Sequence, residues 1–143
     1  MSRRKGDRKI EGVVAVVHRD GRFLMIRRAE GILAGGAWCF VGGAIEAGET
    51  QAEAVVRKFR EEVAGHIRPI SKIWEYTRPD GLLVLHWWLV ELERDTLRPD
   101  PAEVAELRWC RPDEIEALPH LLAGNHEFLD AVGRRLLGAA RDS

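Results

Sequence analysis

The stretch Trp38–Gly65, WCFVGGAIEAGETQAEAVVRKFREEVAG, decides how this chain is read. Thr50 followed by Glu53 is a capping box, and it opens a helix at Gln51. Ala52, Val55, Val56, Phe59 and Val63 then recur at helical spacing and predict one apolar stripe facing a core. Gly65 fits the stop. Arg57, Lys58, Glu61 and Glu62 fall on the opposite face. Arg57 stands four residues before Glu61 and Lys58 four before Glu62, a pairing worth about 0.3–0.5 kcal/mol each on an exposed face. Taken alone, that is a solvated, salt-bridged helix. The preceding segment adds Gly42, Gly43 and Gly48, which permit positive φ and close approach of a ligand, together with Glu46 and Glu49. A glycine loop that feeds carboxylates toward a carboxylate-bearing helix suits a hard cation such as Mg²⁺, which takes oxygen ligands and is shared with phosphates.

Working outward, Gly12–Val17 is a β-branched run that predicts a strand buried on both faces. Asp20-Gly21 predicts a hairpin returning through Phe23–Ile26. A Gly-rich loop, Glu30–Ala37, leads to a short strand at Trp38–Val41, which Gly42-Gly43 breaks. Pro69–Tyr76 and Leu82–Val90 read as a strand pair around the turn residues Arg78-Pro79-Asp80-Gly81. A further strand is expected over Val104–Cys110, a helix over Pro112–Leu118, and a terminal helix over His120–Leu137. The order predicts one α+β domain, residues 1–143, with helices packed on a mixed sheet and a basic, frayed N-terminus at residues 1–9.

The 22 Lys and Arg nearly balance the 23 Asp and Glu, so the chain lacks the positive excess of a nucleic-acid binder. No apolar stretch reaches the roughly 18 residues of a membrane span. Cys39 and Cys110 have no ligand spacing and read as buried free thiols of a cytoplasmic protein. Trp87 and Trp88 are adjacent in a strand and point to opposite faces, one to the core and the other available to stack on a base. An exposed Trp on that hairpin would favour a homodimer.

The segment resembles the Nudix box of Nudix hydrolases, a signature of Gly, five residues, Glu, seven residues, then Arg-Glu-apolar-x-Glu-Glu-x-Gly-apolar. Gly43, Glu49, Arg57, Phe59, Glu61 and Glu62 match it, and the wider resemblance to MutT-like members covers residues 10 to 135. It implies an α/β/α sandwich and hydrolysis of the diphosphate in a nucleoside diphosphate linked to another group, with Mg²⁺ or Mn²⁺. It also implies roles. Arg57, Glu61 and Glu49 would form the catalytic group, with Arg57 orienting the acids. Glu61 and Glu62 would ligate metal. Gly42 and Gly43 would shape the substrate loop. Arg27 and Arg28, ending the second strand beside the Gly-rich loop, either contact substrate phosphate or face water. The implied partner is a nucleotide-like small molecule, with no nucleic acid and no membrane.

Four positions depart from the family pattern. Val41 replaces Pro, and Ala64-Gly65 replace Gly-apolar, which would move the helix end one residue later. Lys58 replaces a Glu that ligates metal in the family. Either Lys58 swings outward and leaves Glu61, Glu62 and a remote carboxylate for metal, or it pairs with Glu62 in place of the metal. Glu103 is the expected remote ligand, Glu106 comes next, and Glu46 and Glu75 are weaker candidates. The main reading is a metal-dependent pyrophosphohydrolase, possibly acting on nucleoside triphosphates. The alternative is a catalytically weakened or inactive Nudix-fold nucleotide-binding module.

Overall fold

The computed structural model describes residues 8–142, so most of the basic N-terminus lies outside the described residues. The chain runs β1 (Ile10–Val16), β2 (His18–Arg19), β3 (Arg22–Arg28), β4 (Trp38–Cys39), β5 (Val41–Ala44) and α1 (Gln51–Val63). It continues through β6 (Ile67–Thr77), β7 (Leu83–Leu92), β8 (Val104–Cys110) and α2 (Pro112–Glu116). The tail holds α3 (Asn125–Phe128), a π-helical turn (Leu129–Gly133) and α4 (Arg134–Asp142).

One mixed sheet has the order β5-β1-β7-β6, with β1 parallel to β7 and antiparallel to β5. In the second sheet β3 pairs with β2, β4 and β8, all antiparallel. The alternation of β1 divides the core. Val13 and Ala15 pack with Val55, Phe59 and Val63 of α1, while Val14 and Val16 pack with Ile115, Phe128 and Leu129 on the far side. The strands are therefore sandwiched between α1 and the terminal helices, which is the α/β/α arrangement that the family resemblance implied. The far core is aromatic: Trp87 stacks on Phe128 at 4.4 Å between centroids, and Phe23, Phe40 and Trp74 meet that pair edge-on or tilted.

Several local expectations change. Asp20 and Gly21 do form the hairpin turn, both with positive φ. Gly42-Gly43, however, does not break a strand; both glycines lie inside β5, opposite Val14 and Val13 of β1. A Cβ on Gly42 would sit 2.3 Å from the Val13 carbonyl oxygen, so close strand approach, not positive φ, requires glycine there. The loop's left-handed residue is Gly48, at φ +79°.

Helix α1 ends at Val63, no later than the signature would place it. Ala64 itself takes the left-handed cap, at φ 55°. Gly65 serves packing instead, since its Cβ would lie 2.1 Å from the Phe59 ring. The buried face of α1 is Ala54, Val55, Phe59, Glu62 and Val63; Ala52 and Val56 are only partly covered. The terminal helix starts at Asn125 because His120 and Gly124 adopt positive φ and the Leu121 backbone bridges to Trp38.

Trp87 is buried, and Trp88 is half-buried with its indole N–H donating to Gln51 Oε1 at 2.9 Å. Neither is an exposed face for dimerisation. The exposed large apolar side chains among the described residues are Ile10, Leu33 and Ile70. No described helix is long and apolar enough to cross a membrane.

Candidate active site

The site is assembled by three neighbouring segments: the end of β5 with its loop, the polar face of α1, and the chain crossing the C-terminal end of α1. The capping box fixes where the helix starts. Glu53 N–H donates to Thr50 Oγ1 at 3.1 Å, and Thr50 N–H donates to Glu53 Oε1 at 2.9 Å. Helical spacing then places Arg57 and Lys58 side by side, Arg57 facing acids of the loop and of α1, Lys58 facing acids of α1 alone.

Arg57 is the hub of the loop side. Its Nε donates to Glu49 Oε2 at 2.7 Å and one terminal nitrogen to Glu49 Oε1 at 2.9 Å, a two-pronged contact. The same nitrogen donates to the Ala44 carbonyl at 2.9 Å, and the other reaches Glu61 Oε1 at 3.0 Å. Glu46 lies 3.5 Å from Arg57. The guanidinium thus staples the loop between β5 and α1 to the helix. It holds the Glu49 carboxyl down at about 2, helped by the Glu46 N–H. The Ala44 carbonyl is a partner that side-chain patterns do not reveal.

Lys58 takes the second of its two expected positions. It does not swing outward. Its stem lies across Gly43, where a Cβ would stand 2.2 Å from Lys58 Cε, and its Nζ sits 3.2 Å from Glu62 Oε2 and 3.8 Å from Glu61 Oε1. Gly43 therefore makes room for Lys58. The Glu62 side chain is only 6% exposed, which corrects the reading of a fully solvated face. Burial pushes its carboxyl up to about 7, although Lys58 pulls the other way.

Residues 93–103 bring Glu103 into range. Arg98 N–H donates to the Val63 carbonyl and Asp100 N–H to the Glu62 carbonyl, both at 2.8 Å, while Ala29 N–H donates to the Glu103 carbonyl at 2.9 Å. Glu103 is close enough to oppose ionisation of Glu62, and Arg28 is close enough to favour it. Arg28 Nε donates to the Leu33 carbonyl at 2.8 Å, so the Gly-rich loop anchors it beside this cluster. The other candidates lie elsewhere. Arg27 pairs with Glu106 at 3.4 Å, and Glu106 also binds Arg108 at 2.6 Å. Glu75 pairs with Lys72 at 2.6 Å. The side-chain oxygen of Asn125 and the indole nitrogen of Trp87 are buried polar atoms with no hydrogen-bond partner among the described residues, and the sequence carries no signal for the burial of Asn125.

The implied Mg²⁺ or Mn²⁺ does not fit this arrangement. Among the described residues no three His, Cys, Asp or Glu side chains converge as a metal site. Both oxygens of Glu49 are engaged by Arg57, and the ammonium of Lys58 stands against Glu61 and Glu62. The acids at the signature positions are assembled, but their partners are protein cations.

The NUDIX domain family matches residues 8–132. The chain is 34% identical to the CTP pyrophosphohydrolase of Escherichia coli (strain K12) over 120 residues, 77% of this chain and 82% of that protein. A solution structure of the E. coli ORF135 protein aligns with a TM-score of 0.71 and 30% identity over 96% of each chain. The crystal structure of a MutT protein from Methanosarcina mazei Go1 shares the fold, with a TM-score of 0.78 and 22% identity over 94% of this chain and 99% of that one. The chain belongs to the Nudix family, the MutT-like hydrolases that act on pyrophosphate bonds.

Proposed function

We propose that this chain hydrolyses the diphosphate linkage of a nucleoside diphosphate bonded to another group, in the first instance a nucleoside triphosphate. The observation that carries this reading is the Arg57 hub, which holds Glu49 and Glu61 at the signature positions on one rigid staple. The likeness to a CTP pyrophosphohydrolase across most of that protein supports a triphosphate substrate. In this reading Arg57 is a positioning residue. Glu61 takes its protein contacts through Oε1, which leaves Oε2 to accept a hydrogen bond from the attacking water. Arg28, whose Nε is tied to Leu33 and which stands near Glu62, is the cation that would meet substrate phosphate. Gly42 admits the close approach of β1 and Gly43 gives its space to the Lys58 stem, so both shape the loop without facing the phosphates. The partner is a small nucleotide. The two buried cysteines, neither bonded to the other, support a reducing compartment such as the cytoplasm.

The test is release of a nucleoside monophosphate from a panel of nucleoside triphosphates, oxidised nucleotides, nucleotide sugars and dinucleoside polyphosphates, with Mg²⁺ or Mn²⁺ supplied. Turnover that falls by about 100-fold or more in Glu61→Gln supports the hydrolase. The Lys58–Glu62 pair favours a second reading, a nucleotide-binding module. Nucleotide-induced thermal stabilisation without any turnover selects that reading.

A further inference from the structure

The family signature places a carboxylate at position 58, and this chain places an ammonium there, turned inward. Three observations show that the ammonium is built into the site. The Lys58 side chain is 16% exposed, far less than a lysine on a wet helix face. Its stem occupies the space that glycine leaves at position 43, where any side chain would collide with it. Its Nζ is shared between Glu62 at 3.2 Å and Glu61 at 3.8 Å, the two acids that the family uses for metal. Arg57 takes the same Glu61 oxygen at 3.0 Å from the other side. The cluster therefore already contains its counter-charges. A divalent ion between Glu61 and Glu62 would have to displace an ammonium held in a largely desolvated pocket, or share that pocket with a like charge.

The geometry points to Lys58 as the resident cation of helix α1, occupying the place of a divalent ion and excluding free Mg²⁺ and Mn²⁺ from the Glu61–Glu62 pair. This rests on the pyrophosphohydrolase reading only for the identity of the acids. The exclusion follows from the cation itself and holds whether or not the chain turns over nucleotide.

The test uses the full chain, Mn²⁺ alone and no nucleotide. Protein-bound Mn²⁺ is read from the loss of the free-ion electron paramagnetic resonance signal, so hydrolysis plays no part in the readout. The wild type should bind Mn²⁺ no better than its Glu62→Gln variant. Lys58→Glu should bind at least about 10-fold more tightly than the wild type, and adding Glu62→Gln to it should remove the gain. Lys58→Gln, which removes the charge without adding a ligand and serves if Lys58→Glu fails to fold, should also exceed the wild type. Wild-type affinity equal to that of both Lys58 variants, or wild-type binding that Glu62→Gln abolishes, overturns the proposal. Absence of turnover with any nucleotide would instead count against the hydrolase reading and leave the Mn²⁺ result standing.

Discussion

Arg57 and Lys58 are consecutive residues with the same charge and the same 16% exposure, but they serve different partners. Arg57 reaches over the loop to Glu46, Glu49 and Glu61, whose side chains are 67%, 14% and 46% exposed. Lys58 lies over Gly43 of β5 and pairs with Glu62 one turn along its own helix, where the Glu62 side chain is 6% exposed. One step along a helix separates a clamp at the water's edge from an ion pair in the core. The clamp's central pair is also largely covered, but its lost hydration is offset by two-pronged, directional hydrogen bonds that stiffen the loop. The pair gives up most of its hydration, so each member depends strongly on the other. The same sequence pattern, a cation four residues before an acid, thus describes two different energetic situations.

The largest break in that contrast is Lys58→Ala: Glu62, already pushed up to about 7, then protonates, so unfolding free energy in urea titration should fall by about 3 kcal/mol at pH 8 and by less at pH 6. A loss below about 1 kcal/mol would mean that the pair behaves as a surface contact. Replacing both members, Lys58→Met with Glu62→Leu, should return stability to within about 1 kcal/mol of the wild type or above it. Next comes Arg57→Ala, which removes the hub and should cost about 2–3 kcal/mol; Arg57→Lys should fall between, because an ammonium cannot form the two-pronged contact. The smallest effect concerns acid. Glu49 is held at about 2 against an ordinary 4.5, so its stabilisation is complete above 4.5 and is lost as pH falls toward 2. Melting curves of Glu49→Gln should therefore depend less on pH across that window than those of the wild type.

What the sequence reveals follows how local the physics is. The capping box, the Asp20-Gly21 turn and the boundaries of β8 depend on neighbours in the chain, and all three are legible. The role of Gly42 is not, because the group that excludes a side chain there is the carbonyl of Val13 on another strand. The end of α1 misleads for a similar reason: Gly65 looks like a cap, yet the Phe59 ring demands it while Ala64 takes the left-handed turn. At the site, the acids and their spacing are readable, and so is the anomaly of Lys58. Which way Lys58 turns is not, since that depends on space above Gly43 and on how far the segment around Asp100 covers Glu62.

Strand β1 is central to the mixed sheet, yet its parallel partner arrives late in the chain, with Ile10 opposite Leu83 and Val16 opposite Leu89. Helix α1 and the β6–β7 hairpin form from near neighbours, whereas this seam must close a long loop of chain before any contact offsets the lost entropy. The seam is thus expected to set the pace of folding. On a ribosome, β1 emerges well before its parallel neighbour and waits for it until the chain through Leu92 is clear of the exit tunnel.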